Sequence, residues 1–142
     1  MSNTATFQFA GGSKVYVQAL ANAGYTQQVT ISPPSGSAAV FQGSGEGNVT
    51  MPLTTQGFLT AGSNGGQASF TVPGSGSQLS TYKVAVSYNK GSGFQPSNVE
   101  GNSSTFTTPA GGQLVVGVVS SEDATDNDYN DGVVYFTLYP AL

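Results

Sequence analysis

The chain has 142 residues, enough for a single domain (1–142) with a buried core, and only 7% of them are charged. It contains no Cys and no His, which excludes disulfides, thiolate or imidazole metal sites, Cys nucleophiles and His-based catalytic triads. Its only cations are Lys14, Lys83 and Lys90, too few and too scattered for a basic groove, so no nucleic-acid partner is expected.

The N-terminal "MSNTATFQFAGGSK" lacks the basic start and apolar core of a signal peptide, and no apolar run approaches the ~18 residues of a membrane helix. A soluble protein is expected, without a membrane span and cytoplasmic as synthesised. Release by a non-classical route to the medium or cell surface is the alternative. Helical periodicity is absent; short alternating runs recur instead. "TFQFA" (6–10) and "KVYVQAL" (14–20) read as strands with "GGS" between them as a hairpin connection. "QQVTIS" (27–32) and "AAVFQ" (38–42) flank "PPSGS", a turn by composition. Further runs are "QASFTV" (67–72), "YKVAVSY" (82–88), "STFTT" (104–108), "QLVVGVV" (113–119) and "GVVYFTLY" (132–139), with weaker ones near 48–52 and 57–60. Gly/Ser-rich loops are expected at 43–47, 61–66, 73–80 and 89–103. About nine or more short strands between such turns predict an all-β, antiparallel β-sandwich. Alternation places Val15, Val17, Val29, Val84, Val86, Leu114, Val116 and Phe136, or their neighbours, in its core.

Charge is concentrated at one place. Five of the seven acids, Glu122, Asp123, Asp126, Asp128 and Asp131, lie in "SSEDATDNDYND" (120–131). Two like charges ~4 Å apart repel by ~1 kcal/mol in water and ~4 kcal/mol near a protein surface. Strand-like runs pin both ends of this stretch, which favours neutralisation by a cation over splaying into solvent. Oxygen-only ligation suits a hard ion such as calcium. The alternation Asp126-Asn127-Asp128-Tyr129-Asn130 matches the first half of an EF-hand loop, but Asp131 stands where that loop needs Gly and Thr137 where it needs Glu. Glu122, Asp126, Asp128, Asn130 and Asp131 together offer nine side-chain oxygens. One calcium takes about 6–8 oxygens and two take roughly 12–16 positions. A two-ion site would therefore draw on backbone, water, a second chain or a hydroxyl-rich ligand.

The run from Ser121 to Val134, "SEDATDNDYNDGVV", closely resembles the signature of the small bacterial calcium-dependent fucose/mannose-binding lectins of the PA-IIL type. Ten of its first eleven residues agree with the family's run, and only Ala124 departs. "VQALANAGYTQQV" (17–29) is similar to the family's N-terminal strand and loop. The likeness covers roughly residues 5–30 and 113–140. It implies two adjacent calcium ions held by Glu122, Asp126, Asp128, Asn130 and Asp131, with Asp128 and Asp131 bridging and the Asn22 backbone carbonyl adding a ligand. It also implies a sugar whose hydroxyls coordinate both ions, with Asp123 accepting hydrogen bonds from it and Ala23, Gly24 and Tyr25 flanking it. A neighbouring subunit's C-terminal carboxylate completes the family site. By that correspondence Leu142 reaches the calcium site of a partner in a homodimer or tetramer.

Three departures stand out. The chain ends Tyr139-Pro140-Ala141-Leu142 rather than Trp-Pro-Leu-Gly, one residue further from Asp131, and a bulge in the last strand would absorb the excess. Tyr25 stands where the family has a small residue. The region 43–112 carries added length. The resulting expectation is a lectin for mannose- or fucose-containing glycans, with no turnover. A calcium-stabilised structural or adhesive β-module is the alternative. Glycosidase chemistry is disfavoured, because Glu46 and Glu100 are the only acids outside the cluster.

Overall fold

A computed structural model describes residues 2–63, 67–123 and 128–139. Among these there is no helix, and eleven strands pair antiparallel throughout. They are β1 (Thr4–Ala10), β2 (Lys14–Ser32), β3 (Ala39–Thr50), β4 (Leu53–Thr55), β5 (Thr60–Ala61), β6 (Gln67–Thr71), β7 (Leu79–Asn89), β8 (Phe94–Pro96), β9 (Asn98–Thr107), β10 (Gln113–Glu122) and β11 (Gly132–Tyr139).

The long strand β2 organises them. Its first half lies between β11 and β6, and its second half between β7 and β3. One layer is therefore β5-β6-β2-β11-β10-β9 and the other is β1-β7-β2-β3-β4, with β8 on β7. The sheet nearly closes on itself where Ser2 bridges Val99 beside β1 and β9. Val15, Val17, Val29, Ile31, Phe41, Val84, Val86, Val119, Val134 and Phe136 are all buried between the layers. Each such side chain contributes roughly 1.5–3 kcal/mol of burial. Phe7, Phe9, Phe58, Phe70, Tyr82 and Phe136 form a connected aromatic cluster across the core, with ring centroids 4.9–6.2 Å apart. All but the near-parallel Phe7–Phe9 pair are tilted or edge contacts, which suit the ring quadrupoles.

The predicted sandwich and its inward residues are borne out, with three local corrections. First, β1 does not form a hairpin with β2; it pairs with β7, from Thr4 opposite Ala85 to Ala10 opposite Leu79. Gly11-Gly12-Ser13 instead carries the chain from one layer to the other. Gly12 has φ 82° there, and a Cβ on Gly11 would collide with the Ser75 carbonyl. Second, the runs at 14–20 and 27–32 are one strand, residues 43–47 belong to β3, and the loop expected at 89–103 carries β8 and the first half of β9. Third, Leu114 is half-buried and Val116 exposed, because their neighbours Val115, Gly117 and Val119 face inward. Gly117 sets that register: a Cβ on it would stand 3.3 Å from the Phe7 ring.

Candidate metal and ligand site

The site forms where β2 changes partners. Pairing of β2 with β3 shifts register between Ala21 and Ala23 and again between Ala23 and Gln27. Between Ala21 and Ala23 the extra residues lie on β3, at Glu46-Gly47-Asn48; between Ala23 and Gln27 they lie on β2, at Gly24-Tyr25-Thr26. Two bulges thus project at the same level, the usual way a sheet re-aims side chains. Left-handed backbone at Gly45, Gly47 and Asn48 makes the β3 bulge, with Asn48 at φ 60°. Asn48 and Asn22 clasp across the strands. Asn22 Nδ2 donates to Asn48 Oδ1 at 2.8 Å, and the Asn48 N–H donates to Asn22 Oδ1 at 2.5 Å.

The acidic residues arrive from the ends of β10 and β11. Glu122 closes β10, Asp123 follows it, and Asp131 immediately precedes β11. Carboxylate oxygens of Glu122, Asp123 and Asp131 all lie within 4.8 Å of one another, and all three residues are buried. Backbone bonds fix them: Asn22 N–H to the Asp131 carbonyl (2.8 Å), Asp131 N–H to the Ser121 carbonyl (3.1 Å) and Asp123 N–H to Asp131 Oδ2 (2.8 Å). Tyr129, at φ 53°, donates its N–H to Glu122 Oε2 at 3.2 Å. Gly132 permits the close packing beneath, since a Cβ there would stand 3.1 Å from both Ser121 Oγ and Val86 Cγ1.

Burial pushes the Asp131 carboxyl up to about 7, and the charges of Asp123 and Glu122 add to the rise; the Asp123 N–H bond opposes it. Three buried carboxylates this close need a counter-charge once ionised. Their chemistry, oxygen only and without His or Cys, fits a hard divalent cation.

A pocket of about 260 Å³ opens over this cluster, lined by Asn22, Ala23, Gly24, Tyr25, Glu46, Asp123, Asp128, Asn130 and Asp131. The structure thus brings together, with Glu122 behind them, the residues that the sequence grouped here. Asp126 and Leu142 lie outside the described residues. Two contributors were missed. Glu46 reads in the sequence as a loop acid, yet the β3 bulge places it on the rim. Gln27, fully buried, donates its Nε2 to Asp123 Oδ2 at 2.8 Å, and no sequence signal marks it. The larger cavity, about 600 Å³, opens along the β1–β9 seam and has no ionisable lining residue.

Fold and site together define an all-β binding domain with an acidic pocket able to hold a metal. The chain belongs to the fucose-binding lectin II (PA-IIL) family, whose model matches residues 7–140. Its members bind carbohydrate and are not enzymes, so the glycosidase alternative falls. Among solved structures it is similar to the Ralstonia solanacearum high-affinity mannose-binding lectin, at 24% identity and TM-score 0.65 over 95% of each chain. The Chromobacterium violaceum lectin CV2L, solved with α-methyl-fucoside, matches at 26% identity and TM-score 0.62, also over 95% of each chain. The C-terminal domain of the BC2L-C lectin from Burkholderia cenocepacia matches at 21% identity and TM-score 0.59, over 95% of this chain and 94% of that one. Comparison with curated proteins finds no match.

Proposed function

We propose that the protein is a calcium-dependent lectin whose site holds two adjacent calcium ions and takes the vicinal hydroxyls of a mannose- or fucose-type monosaccharide. The observation that carries this reading is the buried Glu122–Asp123–Asp131 cluster opening into the pocket between the two bulges. Glu122, Asp126, Asp128, Asn130 and Asp131 hold the ions in this reading, with the Asn22 carbonyl. Bound calcium supplies coordination sites for sugar hydroxyls in place of water. Asp123, oriented by Gln27, accepts hydrogen bonds from those hydroxyls, and its charge strengthens them. Ala23 and Gly24 on the β2 bulge leave room for the sugar, and Tyr25 bounds it. The sugars named for the Ralstonia and Chromobacterium proteins support the ligand class. A homodimer or tetramer, with the Leu142 carboxylate reaching a partner's calcium, would make binding multivalent and raise avidity for glycan surfaces.

Retention on mannose- or fucose-coated beads tests the reading. It should be complete in calcium and lost in EDTA; specific retention in EDTA would sink the proposal. Asp128→Ala should lose calcium and sugar together, read by calorimetry. A blank glycan array alongside a calcium-raised melting temperature would instead mark a structural module.

A further inference from the structure

Tyr25 stands at the lip of the pocket with 40% of its surface exposed. The β2–β7 register sets Gln27 opposite Tyr88 and Thr26 opposite Asn89, which brings Tyr25 beside Tyr88 and Lys90. The two rings lie 6.3 Å apart at 33°. Lys90 Nζ lies over both, 5.4 Å from the Tyr25 centroid and 5.7 Å from that of Tyr88. Asn89 Oδ1 accepts the N–H groups of Gly91 (2.7 Å) and Gly93 (3.2 Å), fixing the turn that carries Lys90.

This platform is tied to the acidic site. The Gln27 amide that donates to Asp123 at 2.8 Å also reaches the Tyr25 carbonyl at 3.4 Å. A fully buried side chain thus sets the spacing between the carboxylate and the aromatic pair. Tyr88 and Lys90 do not line the pocket, so they extend the surface outward from Tyr25. Aromatic rings attract the C–H groups of a pyranose, and the Lys90 ammonium, held over both rings, donates to the hydroxyls of a sugar packed against them.

We propose that Tyr25, Tyr88 and Lys90 form a second subsite that takes the next pyranose of an oligosaccharide, making a linked glycan the preferred ligand over a lone monosaccharide. The inference rests on the lectin reading above. Calorimetry in calcium would compare methyl α-mannoside with the methyl glycosides of α1,2-, α1,3- and α1,6-linked mannobiose. At least one disaccharide should bind roughly three- to tenfold tighter than the monosaccharide. Lys90→Gln and Tyr88→Leu should bring that ratio towards one while methyl α-mannoside affinity holds, with unchanged calcium-bound melting as the folding control. Lys90 is exposed, so the first variant keeps the test valid should the second fail to fold. Equal affinity for all four sugars in the unmodified protein, or an advantage that survives in Lys90→Gln, overturns the subsite alone. Binding of methyl α-fucoside but of none of the four overturns the subsite alone, and absence of binding by methyl α-fucoside as well overturns the lectin reading and the subsite with it.

Discussion

Asp131 couples proton and fold and, in the calcium reading, the metal as well. Its carboxyl is raised from 3.8 to about 7 by burial and by the charges of Asp123 and Glu122. A raised folded value means that the folded chain holds the proton more tightly than the unfolded chain. In the absence of calcium its contribution to stability is therefore full below about pH 3.8 and lost as pH rises through about 7. Calcium needs ionised ligands, so calcium stabilisation should grow over the same window. Thermal melts at pH 5 and pH 8, each with EDTA and with calcium, check both halves: the gap between the two curves should widen at the higher pH. Gln27 offers a second handle. Its Nε2 serves Asp123, while its buried Oε1 has no hydrogen-bond partner among the described residues. Gln27→Leu removes a bond to a charged group, of the kind that contributes about 1.5–3 kcal/mol, but also removes the orphan oxygen. Sugar affinity should fall about tenfold or more by calorimetry, with little change in melting temperature. The acidic run was legible because five carboxylates in ten residues, pinned at both ends by strand-like runs, favour a bound cation over splaying into solvent. Gln27 was not legible, because its partner lies 96 residues away.

At the scale of the element, the two bulges decide where the pocket is. Asn48→Ala places an alanine at φ 60° and strips the acceptor from Asn22. A cost of about 1–3 kcal/mol is expected in chemical denaturation. Asn48→Gly loses the same side-chain bond without the backbone strain, so it should be the milder variant. The sequence located the strands well where alternation was clean: "GVVYFTLY" is β11, residue for residue. It misread "NAGYT" as a loop between two strands. Hydrophobic alternation runs through Ala19, Ala21 and Ala23, all buried, but the small side chains made it look like a break. Glycines at 43, 45 and 47 hid β3 in the same way, since Gly disfavours strands by propensity and marks bulges by geometry.

For the whole molecule, the aromatic cluster holds the layers together. Phe136 packs 5.1 Å from Phe7 and 5.9 Å from Phe9, joining β11 to β1 across the core. Phe136→Ala should cost about 3–5 kcal/mol in chemical denaturation, with no change in the ligand specificity of the fraction that remains folded. Many short strands between Gly/Pro/Ser turns made the fold class legible. The strand order was not: pairing β1 with β7 rather than β2 depends on how Gly11 fits beneath the 75–78 turn, a contact with no local signature. That order also governs when the pocket comes into being. It gathers residues 22–25, 46, 123, 128, 130 and 131, so it exists only once β2, β3, β10 and β11 have found each other. Non-local β pairing is slow, on the order of milliseconds to seconds. In the calcium-lectin reading, metal uptake would then be a late event in the life of a new chain: the ion would arrive at a finished cradle and lock it, instead of seeding its formation.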